Sequence, residues 1–134
     1  MKSVLKILIS IIFVSILVFA GGIFYLSRGL NEGSNIKVNG INISDLNDGI
    51  YCGKYNAGRW SNKLNVTIKS HKITEINIED DVTFVKPGVS YELFNKVIEA
   101  QNTKVDAVSQ ATVTSKAYLK SIENALTNKM GVIK

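Results

Sequence analysis

The stretch LNVTIKSHKITEINI, residues 64–78, decides the fold of this chain. Its first half alternates apolar and polar residues, which is the period of a strand with one buried face. The apolar members are Leu64, Val66 and Ile68. A second β-rich run, with Ile73, Ile76 and Ile78, follows the break at Ser70-His71. Two such runs around a short polar break predict an antiparallel hairpin, with His71 exposed in the turn.

Beyond the hairpin the pattern changes to a helical one. Pro87-Gly88 ends the β region, and Ser90 is a suitable N-cap for a helix that begins at Tyr91. The apolar residues that follow share one helical face: Leu93, Phe94, Val97 and Ile98. Residues 101–103, with the sequence Gln-Asn-Thr, are predicted to end this helix.

A second helix is predicted from Ser115 to about Asn128, with Met130-Gly131 closing it and Thr114 as its N-cap. Its apolar stripe consists of Tyr118, Leu119, Ile122, Ala125 and Leu126. Strands followed by helices predict an α+β fold, in which two C-terminal helices pack on an antiparallel β-sheet.

The residues before the hairpin give weaker β signals. Asn39-Gly40 is a turn signal between short apolar runs, which predicts a small hairpin or an irregular β segment. Residues 48–55 predict a strand in which Gly53 leaves room for close approach of another backbone. Gly58 to Ser61 is predicted to be a turn or a flexible loop.

The N-terminus carries an apolar segment long enough to cross a bilayer. Residues 7–26 contain no charged side chain, and a helix of that length is about 30 Å long, the thickness of the hydrocarbon core. Lys2 and Lys6 precede the segment and Arg28 follows it, which predicts an N-terminus inside the cell and a domain outside it. A cleaved signal peptide, ending near Ala20, is the alternative, and it also places the remaining residues outside the cytoplasm.

These signals predict three regions in the 134-residue chain: a membrane anchor over residues 1–28, a linker with short β segments over 29–47, and one domain over 48–134. The net charge of +5 carries little information, because Lys2, Lys6 and Arg28 precede or border the domain and the rest is nearly balanced. No arginine-rich or aromatic-interleaved basic stretch predicts nucleic-acid binding. Cys52 has no second cysteine with which to form a disulfide, and no histidine or cysteine spacing predicts a metal site.

The segment DAVSQAT, residues 106–112, lies between the two predicted helices and leads into the second. Its small side chains allow a ligand close to the backbone. The first amides of a helix carry partial positive charge, so a phosphate ester on Thr112 would be stabilised there. Ser109 has no flanking glycine and no nearby histidine, which argues against a hydrolase nucleophile.

This segment resembles the flavinylation motif of the FMN-binding domain family, in which an acidic residue is followed three positions later by Ser or Thr, then usually Gly, then Ala-Thr. The resemblance extends over most of residues 48–128 and is most specific in VDAVSQATVTSKAYLKSIENAL, residues 105–126. In that family the threonine after the alanine can carry FMN through its phosphate. The family supplies flavin-bearing subunits of Rnf and sodium-pumping NADH:quinone reductase complexes, and small membrane-anchored flavoproteins.

The resemblance implies that Thr112 is the FMN acceptor. It further implies a cofactor-binding set in which Asp106, Ser109 and Ala111 belong to the motif, Gln110 stands at the glycine position, and Thr114 and Ser115 start the helix. Glycine at that position would allow positive φ or close approach of the enzyme that attaches the flavin. Trp60 and the tyrosines are candidates for stacking on the flavin ring, although packing within the fold is favoured for them.

The function implied is that of an extracytoplasmic electron carrier of bacterial type, anchored in the cell membrane by one span, rather than an enzyme with its own substrate. Its implied partners are the lipid bilayer, a flavin transferase, and redox proteins or a quinone-linked reductase. Two alternatives stay open. One is a module that binds or senses FMN without a covalent bond, and the other is a flavin-free, membrane-tethered interaction domain.

Overall fold

A computed structural model of the chain describes residues 1–127 and the backbone at residues 132 and 133. Along the described chain the elements are α1 (Lys2–Ser27), α2 (Leu30–Ser34), β1 (Gly49–Tyr55), a 3₁₀ helix (Gly58–Trp60), β2 (Asn62–Lys69), β3 (Lys72–Asp80), α3 (Val89–Ala100), α4 (Thr112–Thr127) and β4 (Val132–Ile133). The predicted end of the last helix at Met130-Gly131 lies outside the described residues.

The described strands form one antiparallel sheet in the order β3-β2-β1-β4. Buried and half-exposed residues alternate along β2, as the sequence predicts. The turn between β2 and β3 has positive φ at both Ser70 (51°) and His71 (57°), which is the geometry of a two-residue hairpin turn that matches the twist of its strands. The predicted hairpin is therefore confirmed, with His71 on the surface. The short strand β4 was not predicted.

The core lies between this sheet and the two C-terminal helices. Three of the four residues predicted for the apolar face of α3, namely Leu93, Phe94 and Val97, are buried, and Ile98 is partly buried. The predicted stripe of α4 is buried in full: Tyr118, Leu119, Ile122, Ala125 and Leu126. The α+β fold with two helices packed on an antiparallel sheet is confirmed.

Close contact between α4 and β1 depends on Gly53. A Cβ atom placed on Gly53 would lie 1.9 Å from the backbone oxygen of Ser121 and 2.7 Å from the Cβ atom of Ala125. No side chain can occupy that space unless helix and strand separate. The predicted close approach at Gly53 is confirmed, and its partner is the third turn of α4.

The predicted hairpin at residues 36–43 is wrong, since no strand is present in this described segment. The segment lies against the domain instead of pairing with itself. Its apolar side chains Val38, Ile41 and Ile43 are partly buried against the core. The amide of Asn39 donates to Glu123 Oε2 at 2.9 Å, and Lys120 Nζ lies 2.6 Å from the same carboxylate. Burial and these polar contacts to α4 replace the hydrogen bonds that a hairpin would make.

Residues 30–34, near the start of the predicted linker, form α2 and pack on the start of α4. A Cβ atom on the buried Gly33 would lie 2.5 Å from Val113 Cγ1, and Lys116 Nζ donates to the Ser34 carbonyl at 3.1 Å. A helix was not predicted here, because its packing depends on a glycine that fits against another helix and not on a local pattern. The division of the chain at residue 48 stays a prediction.

The junction between α1 and the domain is a close backbone-to-backbone contact. Gly29 has φ of +85°, and a Cβ atom there would lie 2.4 Å from the Ala57 carbonyl oxygen. Gly58 has φ of +53°, and a Cβ atom there would lie 2.4 Å from the Arg28 carbonyl oxygen. The two glycines thus bring the end of α1 and the 3₁₀ helix into close contact, where a turn or a flexible loop was predicted.

Helix α1 has no residue buried against the rest of the protein. The helical region from Lys2 to Ser34 contains a window with a mean hydropathy of 2.8, none of which is buried. It is long and apolar enough to cross a membrane, a property that an N-terminal signal sequence shares.

Helix α3 begins at Val89, two residues before the predicted start at Tyr91. Its N-cap is Gly88, with φ of 82°, and Ser90 lies inside the first turn. The left-handed conformation after Pro87 redirects the chain directly into the helix, so no side-chain cap is used. The predicted C-terminal end is confirmed, since Gln101 is the C-cap with φ of 53°.

Tyr118 gives a stability prediction for the core. Its ring packs edge-on against Phe94 at 5.6 Å, and its hydroxyl donates to Asp81 Oδ1. Burial, followed by the hydrogen bond and negative charge of Asp81, raises the pKa of Tyr118 well above its ordinary value of 10.0. We expect Tyr118→Phe to lower the free energy of unfolding by about 2 kcal/mol at pH 7, because a hydrogen bond to a charged acceptor is lost.

The same interaction predicts an alkaline dependence that urea unfolding at several pH values would measure. Up to pH 10.0 the contribution of Tyr118 is complete. Above it the unfolded tyrosine ionises while the folded one stays protonated, so stability falls by about 1.4 kcal/mol per pH unit. Tyr118→Phe should remove this part of the slope. Tyr91→Phe, at a side chain that is 75% exposed, is the control and should change neither quantity; equal slopes for Tyr118→Phe and the unmodified protein would contradict the assignment.

Candidate functional site

The segment between α3 and α4 is held at its beginning by two amide side chains. Gln101 binds both backbone groups of Ile73 on β3: its Oε1 accepts from the Ile73 amide at 2.7 Å, and its Nε2 donates to the Ile73 carbonyl at 2.9 Å. Asn102 donates to the Ile41 carbonyl at 3.3 Å and accepts from the Lys104 amide at 3.0 Å. The start of the segment is therefore fixed to the sheet and to the extended chain around Ile41.

The second half of the segment is a tight turn. The Ala111 amide donates to the Val108 carbonyl at 3.0 Å, which makes Ser109 and Gln110 its central residues. Gln110 has φ of +61°, and Ser109 is not among the residues with positive φ. Positive φ at the second central residue alone is the pattern of a type II turn, which prefers glycine at that position. The turn therefore requires positive φ at the position where the family pattern has glycine, as suggested from the sequence. Gln110 adopts this left-handed conformation, which is strained for a residue with a side chain.

Helix α4 begins at Thr112, earlier than the predicted start at Ser115. The Ser115 amide donates to the Ala111 carbonyl at 2.8 Å, so Ala111 stands at the cap position and the prediction of Thr114 as N-cap is wrong. The sequence suggested Thr114 because threonine is a common cap. In the structure the turn at Gln110 supplies the change of direction, and Ala111 has no side-chain acceptor for the first amides of the helix.

Ser115 fastens the turn from inside the protein. Its side chain is fully buried, and its Oγ accepts a hydrogen bond from the Val108 amide at 3.0 Å. The buried side chains of Val108 and Ala111 pack against the core on either side of the turn. The exposed residues Ser109, Gln110 and Thr112 are thus displayed from a rigid base.

A small open cavity lies beside this turn, with a volume of about 190 Å³. Residues from three places in the chain line it: Arg59, Trp60, Phe84, Lys86, Gln110, Ala111 and Thr114. The first two come from the 3₁₀ helix and the next two from the segment after β3. Of the last three, Gln110 and Ala111 belong to the turn before α4, and Thr114 lies in its first turn. The cavity therefore combines two cations, two aromatic rings and one uncapped helix N-terminus.

Arg59 is the central cation of this cavity. Its guanidinium carbon lies 4.2 Å from the centre of the Trp60 ring and 5.7 Å from the centre of the Phe84 ring. The Arg59 carbonyl accepts from the Thr83 amide at 2.9 Å, which joins the 3₁₀ helix to the segment after β3. The Nε atom of Arg59 is buried without a hydrogen-bond partner. A buried donor on a permanently charged group favours an anionic ligand.

The structure brings only some of the predicted site residues to this cavity. Gln110, Ala111 and Thr114 line it. Thr112 and Ser109 are exposed and do not line it, and Ser115 lies beneath the turn. Asp106 is exposed and lines a separate depression with Lys96 and Glu99.

Sequence reasoning missed most of the cavity wall. Arg59, Phe84 and Lys86 were not predicted to belong to a site. Trp60 was predicted to pack within the fold; it is buried (7% exposed) and also lines the cavity. These residues come from turns whose sequences carry no motif. A signal for this wall was Phe84-Val85, two large apolar residues that lie between the acidic run Glu79-Asp80-Asp81 and Pro87, outside any predicted strand or helix.

The geometry defines a small α+β domain with a cationic cavity beside the start of its last helix. The family model for the FMN-binding domain matches residues 58–127, more than half of the chain, and the chain therefore belongs to the FMN-binding domain family. The cofactor of this family is FMN. No curated protein matches the chain.

The residues present fit the parts of FMN. The buried, unpartnered Arg59 Nε and Lys86 suit the phosphate, as do the uncapped amides at the start of α4. The rings of Trp60 and Phe84 suit the apolar isoalloxazine. At about 190 Å³, the cavity is smaller than the roughly 300–1,000 Å³ typical of pockets that enclose a ligand. Most of the cofactor would remain at the surface.

Among the described residues, no group of three or more histidine, cysteine or acidic side chains is arranged to hold a metal ion. The acidic run that ends β3 is used otherwise: Glu79 pairs with Lys63 at 2.9 Å, and Asp81 accepts from Tyr118. Cys52 is a free thiol of intermediate exposure beside Glu79.

Proposed function

We propose that this protein is a membrane-anchored, extracytoplasmic electron carrier whose FMN is joined to Thr112 by a phosphoester bond. The observation that supports this most directly is the position of Thr112, which is exposed at the first residue of α4 and lies in sequence between Ala111 and Thr114, two residues that line the cationic cavity. Bound flavin would supply the redox chemistry, and the protein would supply position and electrostatics.

A covalent bond suits this cavity for an energetic reason. A shallow cavity buries little of the flavin, so noncovalent contacts alone give modest affinity. A bond at Thr112 makes ring contact intramolecular, with a local concentration in the millimolar range for a short flexible link. Attachment requires that the Thr112 hydroxyl lose its proton and bond to the FMN phosphorus while AMP leaves from FAD. The exposed hydroxyl is accessible to an enzyme that catalyses this exchange, which is the transferase partner implied by the resemblance.

Arg59 and Lys86 have a defined part in this proposal. The phosphodiester formed at Thr112 keeps one negative charge, which the two cations and the helix N-terminus stabilise. The stacking of Arg59 between Trp60 and Phe84 holds its guanidinium in place before the ligand arrives. The redox partner would approach from the open side of the cavity, where Gln110 and Phe84 are exposed.

The direct test is the mass of the peptide that contains Thr112. The full chain is produced together with a flavin transferase, boiled in detergent and resolved on a gel. We expect a fluorescent protein band and a mass increase of one FMN minus water on that peptide. Flavin that is released by boiling would instead establish the noncovalent binding or sensing module. Protein without flavin absorbance would establish the flavin-free interaction domain.

The proposed orientation rests on Lys2 and Lys6 before the apolar helix and only Arg28 directly after it. The turn residue His71, which is exposed, offers a labelling site as His71→Cys in a Cys52→Ala background. A membrane-impermeant maleimide should label this variant in intact cells as fully as in lysed cells. Labelling that appears only after lysis would contradict the extracytoplasmic orientation.

Two substitutions at Gln110 separate the effect of its positive φ from the effect of its side-chain size on stability and FMN attachment. Gln110→Gly removes both the positive-φ cost and the side chain, whereas Gln110→Ala removes only the bulk. We expect Gln110→Gly to raise the free energy of unfolding by about 0.5–1 kcal/mol, because the left-handed conformation costs more than the entropy that glycine adds. We also expect it to increase the fraction of chains carrying FMN, measured as flavin fluorescence per band. A gain for Gln110→Ala equal to that for Gln110→Gly would show that bulk, not φ, limits attachment.

A further inference from the structure

The segment that follows β3 has an unusual distribution of apolar side chains. Val82 and Val89 are buried at its two ends, each 3% exposed. Between them Phe84 and Val85 are 56% and 55% exposed, next to Lys86. The segment is therefore fixed at its base and presents two large apolar side chains and a cation to its surroundings.

This segment lies beside the end of the apolar helix. A second cavity, of about 240 Å³, is lined by Tyr25 and Arg28 from the end of α1 together with Gly58, Arg59 and Thr83. Thr83 directly precedes Phe84 in the chain. With the apolar span in the hydrocarbon, Tyr25 and Arg28 lie at the boundary between acyl chains and headgroups, where aromatic and basic residues are enriched. Thr83 and its neighbours are consequently at the same depth.

We propose that Phe84, Val85 and Lys86 form a membrane-contact loop before FMN is attached, in which the exposed parts of the two apolar side chains enter the lipid interface and Lys86 meets anionic headgroups. The proposal rests on the proposed function in one respect, namely that the apolar helix is retained as an anchor. Its occupant is the lipid surface, because the loop continues the contact that α1 begins and because Arg28 and Lys86 add positive charge at the headgroup level.

The interlocked backbone at the junction supports a fixed depth for this loop. Gly29 and Gly58 leave no space for a side chain between α1 and the 3₁₀ helix, and α2 rests on α4. The domain therefore cannot rotate freely about the end of α1. The cavity that contains Arg59 and Phe84 opens next to the same loop, so its mouth lies at the membrane surface.

The test measures the depth of single labels in vesicles. The full chain, produced without flavin and with Cys52→Ala, carries one cysteine at position 85, 71 or 13 through Val85→Cys, His71→Cys or Phe13→Cys. Each is labelled with an environment-sensitive fluorophore and reconstituted into phosphatidylcholine vesicles containing phosphatidylglycerol and a headgroup nitroxide lipid. Position 71 is the matched control: it is exposed at the far end of β2, about 24 Å along the strand from Asn62.

We expect the label at position 85 to be quenched and blue-shifted like an interfacial probe, while the label at position 71 behaves as in water. Equal quenching at positions 85 and 71 would overturn the proposal. The label at position 13 reports the anchor separately. If position 13 shows no lipid contact, the retained anchor fails; if position 13 contacts lipid and position 85 does not, only the membrane-contact loop fails.

The charge of Lys86 is tested in the same vesicles. We expect Lys86→Gln to weaken docking of the loop by about fivefold in anionic vesicles, as expected for one basic residue near such a surface, and to have no effect in vesicles of phosphatidylcholine alone. The readout is the quenched fraction at position 85. An equal effect of Lys86→Gln in both kinds of vesicle would overturn the assignment of Lys86 to anionic headgroups.

Discussion

Thr112→Ala is expected to abolish covalent flavin completely while leaving the fold unchanged. The hydroxyl that would bond to the FMN phosphorus is lost, and Ser115 cannot replace it because its hydroxyl is buried and accepts the Val108 amide. Because Thr112 is exposed, its loss should change the free energy of unfolding by no more than about 0.5 kcal/mol. In-gel flavin fluorescence and urea unfolding measure the two effects.

Two matched variants make this result specific. Thr114→Ala alters the next threonine of the same turn and should keep the fluorescent band. Thr112→Ser retains a hydroxyl at the same position and should also keep it. A fluorescent band of normal intensity in Thr112→Ala would show that the flavin is attached elsewhere. Loss of the band in Thr114→Ala with retention in Thr112→Ala would move the acceptor to Thr114.

Gly53→Ala is expected to be among the most destabilising single substitutions in the domain. The new methyl group would lie 1.9 Å from the Ser121 carbonyl oxygen, an obstacle of backbone rather than of flexible side chain. Separating α4 from β1 would open the core on both sides, so we expect a loss of about 3–5 kcal/mol. For a domain of this size, a loss of about 3 kcal/mol lowers Tm by roughly 12–24 °C.

Trp60 makes this measurement simple, because it is the single tryptophan of the chain and is buried. Urea unfolding of the flavin-free full chain in mild detergent is followed by its fluorescence. Gly88→Ala is the control: it has open space around its Cβ position but positive φ of +82°, so it should cost about 1 kcal/mol from backbone strain alone. Similar losses for the two variants would show that the contact between α4 and β1 adjusts easily.

The strands and helices were predictable because their apolar residues repeat at distinct periods. Alternation at Leu64, Val66 and Ile68 specified β2, and the spacing of Tyr118 and Ile122 specified α4. Gly53 was also interpretable, since a glycine between tyrosines in a strand has few purposes other than close packing. Failures occurred where a local signal competed with a tertiary contact. Asn39-Gly40 has the sequence of a hairpin turn, yet Glu123 on α4 binds the Asn39 amide.

The site was predictable only in the part that lies in one continuous stretch. The motif around Thr112 could be found because its residues are adjacent in sequence. The cations and aromatic rings of the cavity come from two separate turns, and their proximity depends on the hydrogen bond between the Arg59 carbonyl and the Thr83 amide. At position 110 the structure instead explains a sequence pattern. The family usually has glycine there, and the positive φ of Gln110 is a conformation that glycine adopts without strain.

The backbone contact of Gly29 and Gly58 has a consequence for how the protein would meet other molecules. If the helix is retained, it is joined rigidly to the domain and the two move together. The protein would then meet its partners by lateral diffusion in the plane of the membrane. A reductant or oxidant must then expose its own redox centre within the same thin layer above the lipid. Height above the bilayer, fixed by two residues that have no side chain, would select partners before any surface of the domain does.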